Sequence, residues 1–256
     1  MCGRYTNEMT WAEIHALYSN PQPCPAAVQH AAAIQHRANA ERLFRPQGQG
    51  RRARGRLRLL WLVPFFAKEM LKAAMFNARI ETVDTSGAFR APFNSKRCLI
   101  PADGYFEWTT NAQDGKKDPW LLQMPKGKGF SFAGLGAHNE KLAVTSCTII
   151  TAPAVPHIAH IHTRMPIILD PACYSAWLNT DIKGQDAKAL LLDRQIDDQL
   201  VFHRVGRDVN SSRYDGTDTK KPIVNTLSGE RKGHCSFQWK NAPRSWSPTI
   251  PVRVIF

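Results

Sequence analysis

The sequence lacks a long apolar run, a paired-cysteine motif and an excess of acidic residues. No stretch approaches the ~20 consecutive apolar residues that a membrane-spanning helix needs, and the first residues lack a signal-peptide pattern. The 6 cysteines are scattered without a CxxC pair. This argues against a disulfide framework or a thiolate zinc site, and it favours a reducing cytoplasm. The 256 residues suffice for one generous domain or two small ones with a full core.

The shortage of acidic residues leaves a formal net charge of +13. A charge of this sign and size favours a polyanionic partner such as nucleic acid. Residues 42–58, however, contribute more than half of that charge through a run of arginines without any acid. The rest of the chain is only mildly basic, which is compatible with nucleic-acid binding but not diagnostic of it.

Local patterns predict a mixed α+β chain that is rich in strands in its middle part. Thr10 and Glu13 have capping-box spacing and predict a short helix. Asp170 and Pro171 predict another helix start, and residues 185–192 a further helix. Runs bounded by Asp-Gly, Pro and Gly signals suit an antiparallel sheet that turns corners. The predicted strands are 97–101, 104–109, 119–124, 129–135, 143–151 and 201–205.

The first residues offer chemistry that no internal residue has. Methionine is normally trimmed before a small residue, so we expect the mature chain to begin at Cys2. Its α-amine and thiol titrate near ~8 and ~8.5, so both are partly nucleophilic at neutral pH. The amine can form a Schiff base with an aldehyde, and the thiol can then close a thiazolidine ring. Alternatively, Cys2 is a small buried hydrophobe, or the nucleophile of an amidotransferase that begins Met-Cys-Gly and attacks glutamine.

Glu107 and a histidine cluster are candidates for moving protons. Glu107 follows a glycine turn on an aromatic strand, where apolar neighbours would raise the pKa of its carboxyl group. An exposed strand glutamate is the commoner alternative. His157, His160 and His162 form an HxxHxH pattern that invites a zinc interpretation. Since only the last two share a face of an extended segment, an acid/base role for one histidine is favoured over a metal site.

Two further pairs of residues suit nucleic-acid contacts. Asn77 and Arg79 are two positions apart and can hold a phosphate or a sugar from the same side of a strand. Phe65 and Phe66, close to Trp61, suit a platform for stacking bases. On composition alone, such aromatic residues more often belong to a core.

Together these residues resemble the SOS-response-associated peptidase (SRAP) family, whose members link covalently to abasic sites in single-stranded DNA. The matching motifs occur in the family's order and cover about residues 1–20 and 61–225. They are Met1–Tyr5, Trp61–Pro64, Asn77–Thr82, Ile100–Trp108, Ile161–Pro166 and Val205–Asn210.

The resemblance implies a covalent mechanism. Met1 is removed by the protein itself, and Cys2 captures the aldehyde of the ring-opened abasic sugar as a thiazolidine. Glu107 positions the α-amine and moves protons, while His162 assists opening of the sugar ring and reversal of the link. Asn77 holds the reacting sugar.

The resemblance also implies a DNA-binding surface that contacts flanking phosphates and wedges against neighbouring bases. The implied DNA-binding residues are Arg4, Arg79, Phe65, Phe66, Trp108 and Arg164. The partner is single-stranded DNA that contains abasic sites, and no cofactor, metal or membrane is implied. We expect a cytoplasmic monomer that joins the nucleoid when bound to DNA and protects lesions in DNA repair and the SOS response.

Residues 24–60 depart from the family, which carries an Arg-Tyr-Asn-Ile-Ala-Pro-Thr segment near this place. One permitted codon set for residues 33–41 is GCG ATA CAA CAT CGC GCC AAC GCA GAG. Without its first base it encodes Arg-Tyr-Asn-Ile-Ala-Pro-Thr-Gln. The hypothesis is that about 24–60 is translated out of frame, so its arginine run is no evidence for DNA binding. Other codons in the gene would remove this argument.

The sequence therefore predicts one α+β domain over residues 1–225, built on a strongly bent, mainly antiparallel, barrel-like sheet with peripheral helices. A basic, poorly ordered tail is expected at 226–256. Covalent capture of abasic sites by Cys2 is the predicted function. A non-covalent module for damaged or modified DNA, a glutamine amidotransferase and a poorly folding frame-shifted product remain the alternatives.

Overall fold

The computed structural model of the chain describes residues 4–19, 59–70, 75–192, 196–211, 214 and 218–223. Cys2 lies outside these residues, as does the tail expected at 226–256. The frame-shift hypothesis for 24–60 also falls outside them, except at Leu59–Leu60.

The described residues form short strands and few helices around a set of longer central strands. In chain order these elements are β1 Tyr5–Thr6, α1 Trp11–Ser19, β2 Leu59–Leu60, β3 Asn77–Arg79, α2 Arg90–Ser95, β4 Arg97–Ala102, β5 Gly104–Thr110, β6 Lys117–Gln123, β7 Phe130–Asn139, β8 Val144–Pro153, β9 Arg164–Pro166, β10 Ile168–Leu169, α3 Tyr174–Leu178, α4 Gly184–Leu192 and β11 Val201–Arg204. Turns of 3₁₀ helix occupy Pro125–Gly127, Pro171–Cys173, Asp197–Gln199 and Arg207–Asn210.

The strands form two sheets. The smaller sheet has the order β1-β5-β6-β11 and is antiparallel throughout. In the larger sheet β7 and β8 are central: β4 and β10 pair with β7, and β9, β2 and β3 pair with β8. The pairs of β2 and β3 with β8 are parallel. The strongly curled, half-barrel arrangement confirms the predicted bent, mainly antiparallel sheet, and the two parallel pairs are an addition to it.

The helix starts follow the predicted capping chemistry. The backbone N–H of Thr10 donates to the Glu13 carboxylate at 2.6 Å, and the N–H of Glu13 donates back to the Thr10 hydroxyl. The hydrogen bond from the Thr10 side chain lowers the pKa of Glu13. Asp170 accepts from the N–H of Ala172 at 2.8 Å and opens the 3₁₀ turn that leads into α3. Both predicted helix starts are thus confirmed.

Strand β4 is buried on both faces and separates two parts of the core. Leu99 joins a cluster with Trp177 and the helices, whereas Cys98 and Ile100 join a cluster between the sheets. In the second cluster Tyr105 of the smaller sheet meets Phe132 of the larger one, with ring centroids 5.9 Å apart. The inner faces of both sheets therefore enclose one core, and the helices cover the outer face of the larger sheet.

Among the described residues, none of the helices combines the length and the apolar character needed to cross a membrane.

Candidate active site and nucleic-acid surface

Glu107 is a buried carboxyl group on β5, with only 3% of its surface exposed. Because side chains alternate along a strand, Glu107 shares the inner face of the smaller sheet with Tyr105, while Phe106 and Trp108 face outward. Burial raises the pKa of Glu107, and the electrostatic effect of nearby His162 partly opposes that rise. A carboxyl group whose pKa is raised keeps its proton to a higher pH than an exposed glutamate does, which suits it to proton transfer.

Strand β1 leads the N-terminal part of the chain to this carboxyl group. Tyr5 lies opposite Tyr105, and the N–H of Phe106 donates to the carbonyl oxygen of Arg4 at 3.0 Å. Arg4, the first described residue, is therefore beside the immediate neighbour of Glu107. This places the start of the described chain at the buried acid.

Asp103 fixes the register of this N-terminal segment. Its carboxylate accepts from the Thr6 hydroxyl at 2.5 Å and from the N–H of Glu8 at 2.8 Å. The ammonium group of Lys220 lies 3.0 Å from the same carboxylate and 3.0 Å from that of Glu8. One largely buried side chain thus ties β1 to the turn before β5 and to the end of the described chain.

Replacing Asp103 with alanine should lower the free energy of unfolding by roughly 1–3 kcal/mol, since the Glu8 N–H and the Thr6 hydroxyl lose their acceptor. Urea unfolding followed by circular dichroism measures the change. Glu140→Ala is the matched control, because Glu140 is exposed in the turn between β7 and β8. If both variants unfold at the wild-type urea concentration, Asp103 does not stabilise the N-terminal segment.

His162 lies in the turn before β9, and the backbone of Arg164 holds its ring. Nδ1 of His162 is 2.9 Å from the backbone nitrogen of Arg164 and accepts its N–H when the neutral ring carries its proton on Nε2. The carbonyl oxygen of Arg164 is 3.0 Å from the same Nδ1 and accepts a hydrogen bond only when Nδ1 carries a proton, in the other neutral tautomer or in the charged ring. Glu107 and His162 are thus the two predicted proton carriers that the structure brings into electrostatic reach of each other.

The other two histidines of the HxxHxH pattern lie elsewhere. The His160 ring packs against Trp120 and Phe202, and the His157 ring stacks on Phe202, with Nδ1 3.9 Å from the Asp198 carboxylate. Within the described part of the chain, no group of three or more histidine, cysteine or acidic side chains could hold a metal ion.

Asn77 lies on β3 opposite Ile149 of β8. Its amide oxygen is buried and accepts no hydrogen bond from the described residues. An unsatisfied buried acceptor costs about 1–3 kcal/mol, and a ligand that donates a hydrogen bond to it would offset that cost. Arg79 is exposed two positions further along the same strand, as its spacing predicts.

Phe65 and Phe66 form an exposed aromatic pair rather than part of the core. They are 63% and 57% exposed, and their rings meet edge to face at 5.3 Å. The segment that carries them is fixed from behind, because the Asn139 amide donates to the carbonyl oxygens of Pro64 and Ala67 at 2.8 and 2.9 Å. Two large apolar rings on an anchored turn suit contact with nucleic-acid bases.

Arg4 and Trp108 form a half-buried contact on the outer side of β5. The Arg4 guanidinium lies 5.7 Å from the centre of the Trp108 ring and donates to the Ser211 carbonyl oxygen. The indole N–H of Trp108 donates to Asn210 at 2.7 Å. These contacts hold both predicted DNA-binding side chains in place.

Arg164 is engaged within the protein. Its guanidinium forms a two-pronged ion pair with Glu81 at 2.9 and 3.0 Å and also donates to the Thr151 carbonyl oxygen. The hydrogen bonds from Arg164 lower the pKa of Glu81. Direct contact of Arg164 with DNA stays a prediction, and its observed contacts fix the strand that follows His162.

Sequence reasoning missed the ion-pair cluster around Arg207. The Arg207 guanidinium binds Asp114 at 2.5 Å and Asp118 at 2.7 Å, and Arg204 reaches Asp118 at 2.5 Å. Although burial by itself would raise the pKa of Asp118, the hydrogen bonds from Arg207 and Asn111 hold that pKa below its usual value. The motif Val205–Asn210 was visible in the sequence, but nothing local indicated its partners some 90 residues earlier.

The curled sheet, the buried Glu107 with the half-buried His162, and the N-terminal strand beside them define an α+β protein with a candidate active site near the start of the described chain. The family model of the SOS response associated peptidase (SRAP) matches residues 1–212. The chain belongs to this family, which confirms the resemblance seen in its motifs.

Individual proteins agree with this assignment. The chain is 31% identical to the abasic site processing protein YoqW of Bacillus subtilis over 217 residues, which cover 83% of this chain and 96% of that protein. It is 32% identical to the abasic site processing protein YoaM of the same species over 228 residues, covering 83% and 94%. A crystal structure of a protein from Bacteroides thetaiotaomicron has the same fold, with a TM-score of 0.55 at 24% identity, covering 64% of this chain and 75% of that one.

Proposed function

We propose that this protein processes abasic sites in DNA and captures them covalently through Cys2. The observation that carries the proposal is the seating of the N-terminal strand beside the buried Glu107, with His162 within electrostatic reach. A terminal amine held at such a carboxyl group has a base for its activation and an acid for the loss of water. The relatives named abasic site processing proteins support the choice of substrate.

Removal of Met1 is the first step, because a nitrogen within a peptide bond cannot form a Schiff base. The α-amine of Cys2 then attacks the C1′ aldehyde of the ring-opened sugar. Glu107 takes protons from the nitrogen once it has attacked and passes them to the aldehyde oxygen, which leaves as water and gives the imine. The Cys2 thiolate adds to the imine carbon and the imine nitrogen takes a proton, which closes the thiazolidine ring.

His162 and Asn77 act on the sugar. The abasic sugar is mainly a closed hemiacetal, and it opens when O4′ gains a proton while the C1′ hydroxyl loses one. The Nε2–H of His162 donates the proton to O4′ while water takes the proton of the C1′ hydroxyl, and the hydrogen bond from the Arg164 N–H to Nδ1 favours the tautomer that this step needs. The buried oxygen of Asn77 accepts from a sugar hydroxyl, which supplies its missing hydrogen bond.

Single-stranded DNA reaches the site across the exposed side chains. Phe65 and Phe66 wedge against the bases next to the lesion, and Arg4 and Arg79 bind flanking phosphates. Contacts of this kind weaken as the salt concentration rises. The captured lesion is shielded from strand cleavage and from error-prone copying, which is a role in the DNA damage response.

The experiment is incubation of the purified protein with a single-stranded oligonucleotide that carries one abasic site. Denaturing electrophoresis and intact mass follow. We expect a band that survives denaturation, with the mass of the chain without Met1 plus the oligonucleotide minus water. Cys2→Ala should lose this stable band, because an alanine amine can form only the reversible imine.

Cys2→Ser and borohydride separate the two bonds of the link. The serine variant keeps the amine, so borohydride should trap it as a reduced imine, whereas the wild-type link should form without reductant. Folded protein that has lost Met1 and yields no adduct contradicts covalent capture. Retained affinity for abasic DNA in that case would favour a non-covalent module.

A further inference from the structure

A groove on the outer side of the smaller sheet is unaccounted for by the capture chemistry. It lies between the β5–β6 hairpin and the 3₁₀ turn Arg207–Asn210 and is an open depression of about 750 Å³. That volume is within the ~300–1,000 Å³ range of small-molecule sites and exceeds what one nucleotide needs. Its lining residues are Trp108, Gly115, Lys116, Lys117, Arg207 and Asn210.

The walls of this outer groove are held in place without a ligand. Asn210 accepts from the Trp108 indole at 2.7 Å and donates to the Lys117 carbonyl oxygen at 2.9 Å, which ties the 3₁₀ turn to both strands of the hairpin. Arg207 forms ion pairs with Asp114 and Asp118 of the hairpin. A site already in its binding shape loses little conformational entropy when a ligand enters.

The charge left over in the outer groove is positive. The two carboxylates next to the groove are already paired, since Asp114 binds Arg207 and Asp118 binds both Arg207 and Arg204. Lys117 donates to the neutral hydroxyl of Thr110, and the described residues offer no ion pair to the ammonium group of either Lys116 or Lys117. The groove therefore presents two free cations beside an aromatic wall.

An aromatic ring next to unpaired ammonium groups is the combination that binds single-stranded nucleic acid. The ring stacks on a base, and the cations neutralise the backbone phosphates. We propose that the outer groove binds a nucleotide of the DNA strand outside the capture site, with its base against Trp108 and its phosphates at Lys116 and Lys117. This inference rests on the proposed function for the identity of the strand.

The position of the groove separates it from the chemistry. Trp108 follows Glu107 directly on β5 but points to the opposite face of the sheet. Arg4 lies over the Trp108 ring and also belongs to the segment that leads to Glu107. A strand in the outer groove is thus next to the N-terminal segment without touching the buried acid, so the groove adds affinity and leaves the chemical step unchanged.

The test compares two double charge reversals on undamaged DNA. Lys116→Glu with Lys117→Glu alters the groove. Lys126→Glu with Lys128→Glu is the control, because these exposed lysines follow the opposite end of β6 and change the net charge equally. Binding of a fluorescein-labelled oligothymidylate is measured by anisotropy over a series of salt concentrations, and capture of an abasic trinucleotide is measured in parallel.

The groove variant should bind the undamaged strand at least about tenfold more weakly than the control, with a salt slope shallower by about 0.7 for each lysine replaced. Its capture of the abasic trinucleotide should match the control. Equal affinities of the two variants, or no binding of undamaged DNA by the wild type, overturn the inference. A failure of covalent capture with the affinity difference intact would count against the proposed function alone.

Discussion

Replacing Glu107 with glutamine is expected to slow covalent capture by about 10²–10⁴-fold, the usual contribution of one positioned acid or base. Glutamine keeps the size and the hydrogen-bonding capacity of the side chain but can neither take the proton of the attacking amine nor return it to the leaving hydroxyl. The rate of adduct formation under single-turnover conditions measures the loss. Glu140→Gln, in the exposed turn between β7 and β8, is the control and should capture at the wild-type rate.

The same substitution should stabilise the fold near neutral pH. Burial raises the pKa of Glu107 in the folded protein above its unfolded value of about 4.3, so the folded state holds the proton more tightly. The stabilisation that this tighter proton binding gives the folded state is fully present below the unfolded pKa. It is lost as the pH rises through the folded pKa. Glu107→Gln lacks this loss, so its melting temperature should exceed that of the wild type at pH 7 and match it near pH 4.

These two readouts distinguish a functional acid from a structural one. A group retained for chemistry costs stability where it is ionised, so activity and stability should move in opposite directions in the glutamine variant. A variant that captures at the wild-type rate would remove Glu107 from the mechanism. A variant that melts lower than the wild type at pH 7 would contradict the raised pKa.

The elements that the sequence predicts best are those with a local cause. The capping box at Thr10 and Glu13 and the cap at Asp170 both have their cause within three residues. The long central strands were predicted because turn signals bound them. The two- and three-residue strands β2 and β3 show no period, so their parallel pairing with β8 depends on tertiary contacts alone.

The residues of the candidate site likewise differ in whether a local sequence pattern predicts their environment. The buried environment of Glu107 follows from its aromatic neighbours, but its proximity to His162 is a long-range contact that only the family resemblance suggested. For Phe65 and Phe66, composition favours a core position, which the observed exposure contradicts; the wedge that the resemblance implies stays a prediction. The pairing of Arg207 with Asp114 had no local signal at all.

Arg97 is where a single substitution should cost the most stability. It is 5% exposed, and its guanidinium donates to the backbone carbonyl oxygens of Phe93, Trp177, Asn179 and Ile182. Several of these carbonyls lie at or near the ends of α2 and α3, where helices leave acceptors without partners. The cation also lies 5.2 Å from the centre of the Trp177 ring, and burial lowers the pKa of Arg97 to about 10.

Arg97→Ala should lower the free energy of unfolding by about 3–5 kcal/mol. The substitution leaves buried carbonyl oxygens without a hydrogen-bond donor and opens a cavity beside Trp177. Arg97→Lys should recover only a minor part of the lost free energy of unfolding. One ammonium group cannot reach all the carbonyl oxygens that accept from the five N–H donors of the planar guanidinium. Urea unfolding measures both, with exposed Arg90→Ala on α2 as the control that should leave stability unchanged. A lysine variant as stable as the wild type would show that charge suffices, whereas the bonding pattern of Arg97 requires the whole guanidinium to join helices α2 and α3 to the sheet.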